Sequence, residues 1–146
     1  MNQRVVLDAN VYVSAAISRG PSHRIVNAWL ESQRFELIVC PAIPAEVTDV
    51  LGRPRIAARL APGIAAAFVR SIAVGADVVP DPPADGDVIT RDADDDYLIR
   101  LARLHGADVI VSGDKGLLEW AGQLPPVVSP ASFESSLLGL NPAPEK

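Results

Sequence analysis

The stretch Arg4-Val5-Val6-Leu7-Asp8 decides how the rest of the chain is interpreted. Its consecutive aliphatic residues, two of them β-branched, predict a short first strand that is buried on both faces, as strands of parallel sheets are. The acid that ends the run would stand at the carboxyl end of this strand. Open parallel sheets bind their ligands just outside that end. The stretch therefore predicts an α/β fold with a ligand site beside Asp8.

Further apolar runs alternate with helical patterns along the chain. Strands are predicted at 35–39, 77–79, 107–112 and 127–128. Helices are predicted from about 10 to 20, then at 22–30, 43–51, 54–60, 62–74, 95–105, 115–120 and 130–138, with Gly106 as the C-cap of the sixth. Alternating strands and helices imply a parallel sheet with helices on both faces. We expect one domain over residues 1–138 and a loose tail over 139–146.

Composition bounds the class of protein. The chain has 146 residues, 49% hydrophobic, 21% charged and only 5% aromatic, so one domain with an aliphatic core is expected. The formal charge of −5 argues against a nonspecific nucleic-acid coat protein, but it is compatible with an acidic, metal-filled pocket or a basic protein partner. The single cysteine, Cys40, is expected to be a buried small hydrophobe. No segment is typical of a signal peptide or a membrane span, so we expect a cytoplasmic protein with no membrane contact.

Four acidic residues far apart in the chain would meet at one edge of such a fold. Asp8 and Asp114 each follow an apolar run, and Glu46 and Asp95 lie on the apolar stripes of predicted helices, where a carboxylate is costly to bury alone. Two carboxylates about 4 Å apart repel by roughly 4 kcal/mol at an effective dielectric near 20. A compensating cation is therefore needed, and all-oxygen ligands suit Mg²⁺ or Mn²⁺. The four acids are thus candidate catalytic residues and metal ligands, although an acid in a first helical turn such as Glu46 is also favoured by the helix dipole alone.

The acidic run at 92–96 leaves the third ligand open between two neighbours. Asp95 shares a helical face with Leu98, which points it toward the core side. Asp96 shares a face with Arg100, where pairing on a solvated surface is expected. Asp95 is therefore the first candidate and Asp96 the second.

Other polar residues have two interpretations each. Asn10 is expected to cap the first helix and could also support the pocket. Ser112 could hydrogen-bond a neighbouring carboxylate or only a backbone group, and Lys115 could be solvated or bound to phosphate. The basic group after the third predicted helix is either a solvated face or a flank that holds a phosphate backbone; its members are Arg53, Arg55 and Arg59.

Several segments carry a further signal through their order and spacing. They are Val5-Val6-Leu7-Asp8-Ala9-Asn10-Val11, Pro41-Ala42-Ile43-Pro44-Ala45-Glu46, Arg91-Asp92-Ala93-Asp94-Asp95-Asp96, Gly106-Ala107-Asp108, Val111-Ser112-Gly113-Asp114-Lys115-Gly116-Leu117-Leu118 and Val128-Ser129-Pro130-Ala131-Ser132-Phe133. No single one is specific, but together they resemble PIN-domain proteins of the VapC type, the toxins of bacterial toxin–antitoxin pairs. The resemblance spans nearly the whole chain. It departs from the family at Ala9, where a hydroxyl residue is usual, and at Ser112, where threonine is commoner.

The resemblance implies a three-layer α/β/α sandwich and an Mg²⁺- or Mn²⁺-dependent endoribonuclease. The family's catalytic acids would fall on Asp8, Glu46, Asp95 and Asp114. Its expected partners are an RNA substrate, a cognate antitoxin with a basic tail, and a second copy of the chain. Two other functions compete with this one: a PIN scaffold that binds RNA or protein without cutting, and a phosphoacceptor domain, which Asp77 would serve poorly because it precedes its strand.

Overall fold

The computed structural model describes residues 3–83, 89–90 and 93–137 of the chain. Within these residues it has five strands and eight helices. The strands are β1 (Arg4–Leu7), β2 (Glu36–Val39), β3 (Asp77–Val78), β4 (Val109–Val111) and β5 (Val127–Val128). The helices are α1 (Ala9–Ile17), α2 (Pro21–Ser32), α3 (Ala42–Leu51), α4 (Pro54–Ala57), α5 (Ile64–Gly75), α6 (Ala93–Leu104), α7 (Lys115–Leu118) and α8 (Pro130–Leu137).

The strands form one sheet in the order β3-β2-β1-β4-β5, and every pair is parallel. The register pairs Leu7 of β1 with Val111 of β4. The residues that follow these two, Asp8 and Ser112, therefore leave the sheet side by side at its carboxyl edge. The predicted parallel α/β sheet is confirmed.

The core is aliphatic, as the composition predicts, because both faces of the sheet are covered by helices. Val5, Val6 and Leu7 of the central strand are fully buried. Helix α2 packs on α1 and α8, α3 packs on α1 and α5, and α6 packs on β1 and β4. Burying apolar side chains on both sheet faces stabilises this layered arrangement by about 25 cal/mol for each Å² removed from water. The molecule is a three-layer α/β/α sandwich.

Most predicted elements exist, but several differ at their ends. The predicted strand at 107–112 is only Val109–Val111, and the predicted helix at 54–60 is only Pro54–Ala57. Gly106 has a φ of 68°, the left-handed conformation expected of a helix C-cap. The prediction that Asn10 caps the first helix is wrong: α1 begins at Ala9, and Asp8 occupies the N-cap position in extended conformation.

Basic and acidic residues pair at the amino edge of the sheet. The Arg4 guanidinium lies 2.8 Å from Glu36 Oε1 and 3.2 Å from Asp77 Oδ2. The backbone N–H of Arg4 donates to Asp108 Oδ2 at 2.8 Å. These contacts tie together the starts of β1, β2 and β3 and the residue that directly precedes β4. They also place Asp77 at the edge opposite to the one that binds ligands in open parallel sheets, which argues against the phosphoacceptor alternative.

Two sequence predictions fall wholly or partly outside the described residues: the tail at 139–146 and the acids at 92 and 94 that could cap α6. None of the helices within the described ranges is long and apolar enough to cross a membrane.

Candidate active site

Two of the predicted acids are joined through one buried hydroxyl at the carboxyl edge of the sheet. The Ser112 Oγ donates to Asp8 Oδ2 at 2.7 Å and accepts from the backbone N–H of Asp114 at 2.9 Å. Ser112 is fully buried. Of the two interpretations of Ser112, the carboxylate partner is therefore confirmed. The pairing of β1 with β4 produces this arrangement, since it sets Asp8 and Ser112 next to each other.

Asp8 and Asp114 are held in different ways. The Asn10 amide donates to Asp8 Oδ2 at 3.2 Å, and its Oδ1 accepts from the backbone N–H of Gly113 at 3.4 Å. Asn10 thus supports the pocket instead of capping its helix. The Asp114 carboxylate caps α7, because its Oδ2 accepts from the backbone N–H of Leu117 at 2.9 Å. Within the described residues, neither of the two acids forms a salt bridge.

The surroundings of Asp8 disfavour its ionised form in the absence of a nearby cation. Burial raises the pKa of Asp8 above its ordinary value, and the negative charge of Asp114 raises it further. Hydrogen bonds from Ser112 and from the backbone at Ala9 and Asn10 oppose this shift without cancelling it. A positive ion beside both acids would reverse the balance, because an opposite charge favours the ionised carboxylate.

Asp95 faces the same space as Asp114 across a glycine. A Cβ built on Gly116 would lie 3.1 Å from Asp114 Oδ2 and 3.7 Å from Asp95 Oδ2. Any larger residue at 116 would therefore occupy the gap between the two carboxylates. Asp95, Asp114 and Gly116 line a cavity of about 560 Å³ that opens here. Glycine at 116 is a residue that sequence analysis missed; the signal available was a glycine two positions after a strand-end acid.

Asp96 has a different role from Asp95. Its carboxylate accepts hydrogen bonds from the Ile89 N–H at 3.1 Å, the Thr90 N–H at 2.7 Å and the Thr90 hydroxyl at 2.6 Å. Only 3% of the residue is exposed. The prediction that Asp96 lies on a solvated face is wrong, because this carboxylate is used to fix the backbone that precedes α6. Asp95 is left as the member of the pair that faces Asp114.

Glu46 lies in a neighbouring hollow and is exposed, contrary to the expectation of a costly buried carboxylate. It lines this hollow, of about 280 Å³, together with Asn10 and Arg59. Tyr97 is a residue near these acids that sequence analysis missed. Burial raises the pKa of Tyr97, and the charges of Cys40, Glu46 and Asp8 raise it further.

The three arginines that follow α3 have different surroundings. Arg59 reaches the Glu46 hollow, and its guanidinium donates to the carbonyl of Ile17 at 3.3 Å. Arg53 pairs with Asp49 at 3.3 Å on the exposed surface of α3. Arg55 is exposed as well. Of the three arginines, Arg59 is therefore the one placed beside Glu46.

Cys40 does not take part in this chemistry. It is fully buried, as predicted, and burial raises the pKa of its thiol to about 12. A thiol that stays protonated at neutral pH is a poor nucleophile.

The chemical type of the ligand atoms at this site suits a hard divalent cation. Asp8, Asp95 and Asp114 offer carboxylate oxygens only, which are the ligands Mg²⁺ and Mn²⁺ prefer. One observation in the structure fits a bound ion: between the carboxylates of Asp95 and Asp114 there is a space that a Cβ on Gly116 would fill. Across the described ranges, however, no three acidic, histidine or cysteine side chains already converge as a metal site.

Comparison with known proteins places this arrangement in a family. Among solved structures, the chain is similar to PAE2754 from Pyrobaculum aerophilum, with a TM-score of 0.67 and 17% identity over 94% of this chain and 90% of that chain. At this identity the likeness establishes a shared fold. No curated protein matched the sequence. The family model described as PIN domain matches residues 4–116, which is most of the chain, and the chain therefore belongs to the PIN domain family.

Proposed function

We propose that this chain is a metal-dependent endoribonuclease that hydrolyses RNA phosphodiesters with Mg²⁺ or Mn²⁺. PIN domains are generally nucleases and typically use divalent metals. The observation that carries the proposal is the set of acids at the carboxyl edge of the sheet: Asp8 and Asp114 joined through Ser112, and Asp95 facing Asp114 across Gly116. In this proposal Glu46 completes the set of metal ligands.

The chain's own residues supply position and charge. A bound divalent cation would lower the pKa of a water and stabilise negative charge on the phosphate. Ser112 and Asn10 fix the Asp8 carboxylate, and the N–H of Leu117 fixes one oxygen of Asp114. Side chains fixed before substrate binds lose little freedom during the reaction, which favours catalysis. Arg59 stands beside this site, where it could contact a phosphate of the RNA backbone.

The biological role that we propose is that of the toxin in a toxin–antitoxin pair in the cytoplasm. The support is the resemblance to VapC-type proteins in the order and spacing of the segments around Asp8, Glu46 and Asp114. The formal charge of −5 suits the basic tail of an antitoxin as a partner. A homodimer is part of the same proposal, and sedimentation of the purified chain alone and with its antitoxin would test both partners.

The decisive experiment is cleavage of a pool of structured RNAs by the purified protein in Mn²⁺, Mg²⁺ or EDTA. We expect cleavage with either metal, none in EDTA, and none in Asp8→Asn. The matched control is Asp49→Asn on the exposed face of α3, which should cleave like the wild type. Because burial raises the pKa of Asp8, its ionised form costs stability at neutral pH, so Asp8→Asn should unfold no more easily than the wild type. Undiminished cleavage by a folded Asp8→Asn would exclude this assignment.

The alternative function is a PIN module that binds RNA or protein without cutting. It is favoured by the lack of three converging ligand side chains among the described residues. RNA binding that persists in EDTA, with no cleavage at any metal concentration, would identify this second function.

A further inference from the structure

The cavity beside the acids has an aromatic wall. Its volume of about 560 Å³ is within the range of roughly 300–1,000 Å³ that small-molecule sites have. Asp95 and Asp114 lie along it, together with Thr90, Gly116 and the indole of Trp120. Two of the four carboxylates that would hold the metal thus share a single hollow with one aromatic side chain.

The indole of Trp120 is held in a defined position. A Cβ on Gly122 would lie 2.3 Å from the Trp120 ring, a distance that no real side chain tolerates, so only glycine at 122 allows this ring position. The Arg103 guanidinium lies 5.6 Å from the centroid of the ring, which is within the range of a cation–π contact. Trp120 is partly buried, in contrast to Trp29, of which 2% is exposed. The ring is therefore fixed from the protein side while it still lines the cavity.

The charge of this cavity selects what can enter it. Asp95, Asp114 and the exposed Glu119 line it, so a phosphate group would be repelled unless a cation were bound. A nucleobase is neutral, and the carboxylates can accept hydrogen bonds from its amino groups. Aromatic side chains bind unpaired bases by stacking, which tolerates any sequence because every base has a flat face. Away from the proposed metal position, the Trp120 side of the cavity therefore suits a base and not a phosphate.

We propose that Trp120 is the stacking platform for an unpaired nucleobase adjacent to the scissile phosphate. This inference rests on the proposed nuclease function and deepens it: the substrate is RNA with at least one unstacked base, in a loop or a single strand. A duplex cannot present such a base, so it would not fill the cavity. Trp120 thus determines specificity, whereas the acids carry the chemistry.

The test measures binding in the Asp8→Asn background with Mg²⁺, so that cleavage does not interfere. The probes are single-stranded oligo(A), the same oligomer with abasic sites, and an RNA duplex. We expect oligo(A) to quench tryptophan fluorescence and the other two probes to quench little. Replacement of Trp120 by Phe should remove this quenching, because Trp29 is buried.

Affinity is read separately from the anisotropy of labelled oligo(A). Trp120→Leu keeps apolar bulk without a ring and should weaken binding by about tenfold, whereas Trp120→Phe should lose less. Gly122→Ala keeps the indole but forces it to move, so it should weaken binding as well. Gly20→Ala is its matched control, because a Cβ at position 20 meets nothing within 4 Å.

The outcomes separate the two proposals. Cleavage by the wild type together with unchanged oligo(A) affinity in Trp120→Leu would overturn the stacking site and leave the nuclease intact. Quenching that depends on Trp120 without any cleavage would support the stacking site and overturn the nuclease. Equal loss of affinity in Trp120→Phe and Trp120→Leu, in proportion to lost thermal stability, would reduce Trp120 to a packing residue and overturn the inference.

Discussion

Ser112 shows how one uncharged residue can organise two acids. Its hydroxyl has a single hydrogen, which it donates to Asp8, and a lone pair, which accepts the N–H of Asp114. Because the residue is fully buried, water does not replace either bond when the hydroxyl is removed. The hydroxyl is therefore a fixed spacer between the two strand ends, and it acts on the reaction through the carboxylates it holds.

The first prediction follows from this geometry. Ser112→Ala should lower metal-dependent cleavage by about 10- to 100-fold, the usual cost of losing a group that orients a metal ligand. Ser112→Thr keeps the hydroxyl and should recover most of the activity. Cleavage rates over a Mn²⁺ titration measure the effect, and a rise in the metal concentration needed for half-maximal rate would identify a positioning role. Ser71→Ala, which removes an exposed hydroxyl on α5, is the control. Equal rates in Ser112→Ala and wild type would contradict the assignment.

At the scale of single residues, the sequence predicted best where strands fix the positions. Asp8 and Asp114 could be paired in advance because each follows an apolar run, and parallel strands end at the same edge. Asp95 and Asp96 could not be separated with certainty, because the groups that bind Asp96 come from Thr90 and Ile89 ahead of the helix. Helical periodicity alone contains no information about such a loop.

Among the elements, α6 and the segment before it form the least predictable part of the site. The Asp96 carboxylate receives three hydrogen bonds from Ile89 and Thr90, which attach that segment to the first turns of α6. The same turns present Asp95 to the cavity. The segment is thus held in place by Asp96, the neighbour of a catalytic candidate.

The second prediction concerns stability and pH. Burial by itself would raise the pKa of Asp96, but the hydrogen bonds from Thr90 and Ile89 and the charge of Arg100 outweigh it, so the pKa is lowered. Because folding lowers the pKa of Asp96, the ionised carboxylate stabilises the fold at pH values above 3.8, the ordinary pKa of the group. This stabilisation is lost as the pH falls through the lower pKa of the folded state. Asp96→Asn should therefore lower the free energy of unfolding by about 1–3 kcal/mol at pH 7. Urea unfolding from pH 7 to pH 3 should show the difference shrinking with acid.

The same variant distinguishes the two acids. If Asp95 is the ligand, Asp96→Asn should still cleave RNA with metal, while Asp95→Asn should not. Loss of cleavage in Asp96→Asn without any loss of stability would instead make Asp96 the ligand. Asp49→Asn again controls for the removal of an exposed acid.

At the scale of the whole molecule, charge is sorted between the two edges of the sheet. At the amino edge, Arg4 joins Glu36 and Asp77. At the carboxyl edge, Asp8 and Asp114 are joined through a hydroxyl, with no cation bonded to either within the described residues. The central position of β1 creates this asymmetry, since its first and last residues both contact neighbouring strands. The order β3-β2-β1-β4-β5 was not predicted from the sequence, because short strands such as β3 and β5 carry too few residues to specify their neighbours.

The last prediction tests whether this carboxyl edge binds a cation, independently of cleavage. A ligand that binds only the folded state at about 100 times its Kd stabilises it by about 2.7 kcal/mol, which corresponds to a rise in Tm of about 5–10 °C for a chain of this size. We expect Mn²⁺ to raise the Tm of the wild type by this amount. Gly116→Ala should reduce the rise, because the new Cβ would occupy the gap between Asp95 and Asp114.

Gly113→Ala is the matched control for that substitution, since a Cβ at position 113 meets nothing within 4 Å. It lies in the connection just before α7, three residues from Gly116 in the first turn of that helix, so any general effect of stiffening the start of α7 should be common to both variants. A rise in Tm that survives in Gly113→Ala and is lost in Gly116→Ala would locate the ion in the gap between the two carboxylates. Equal shifts in both variants would place the ion elsewhere. If Mn²⁺ does not raise the Tm of the wild type, the prediction that the four acids share a cation is wrong.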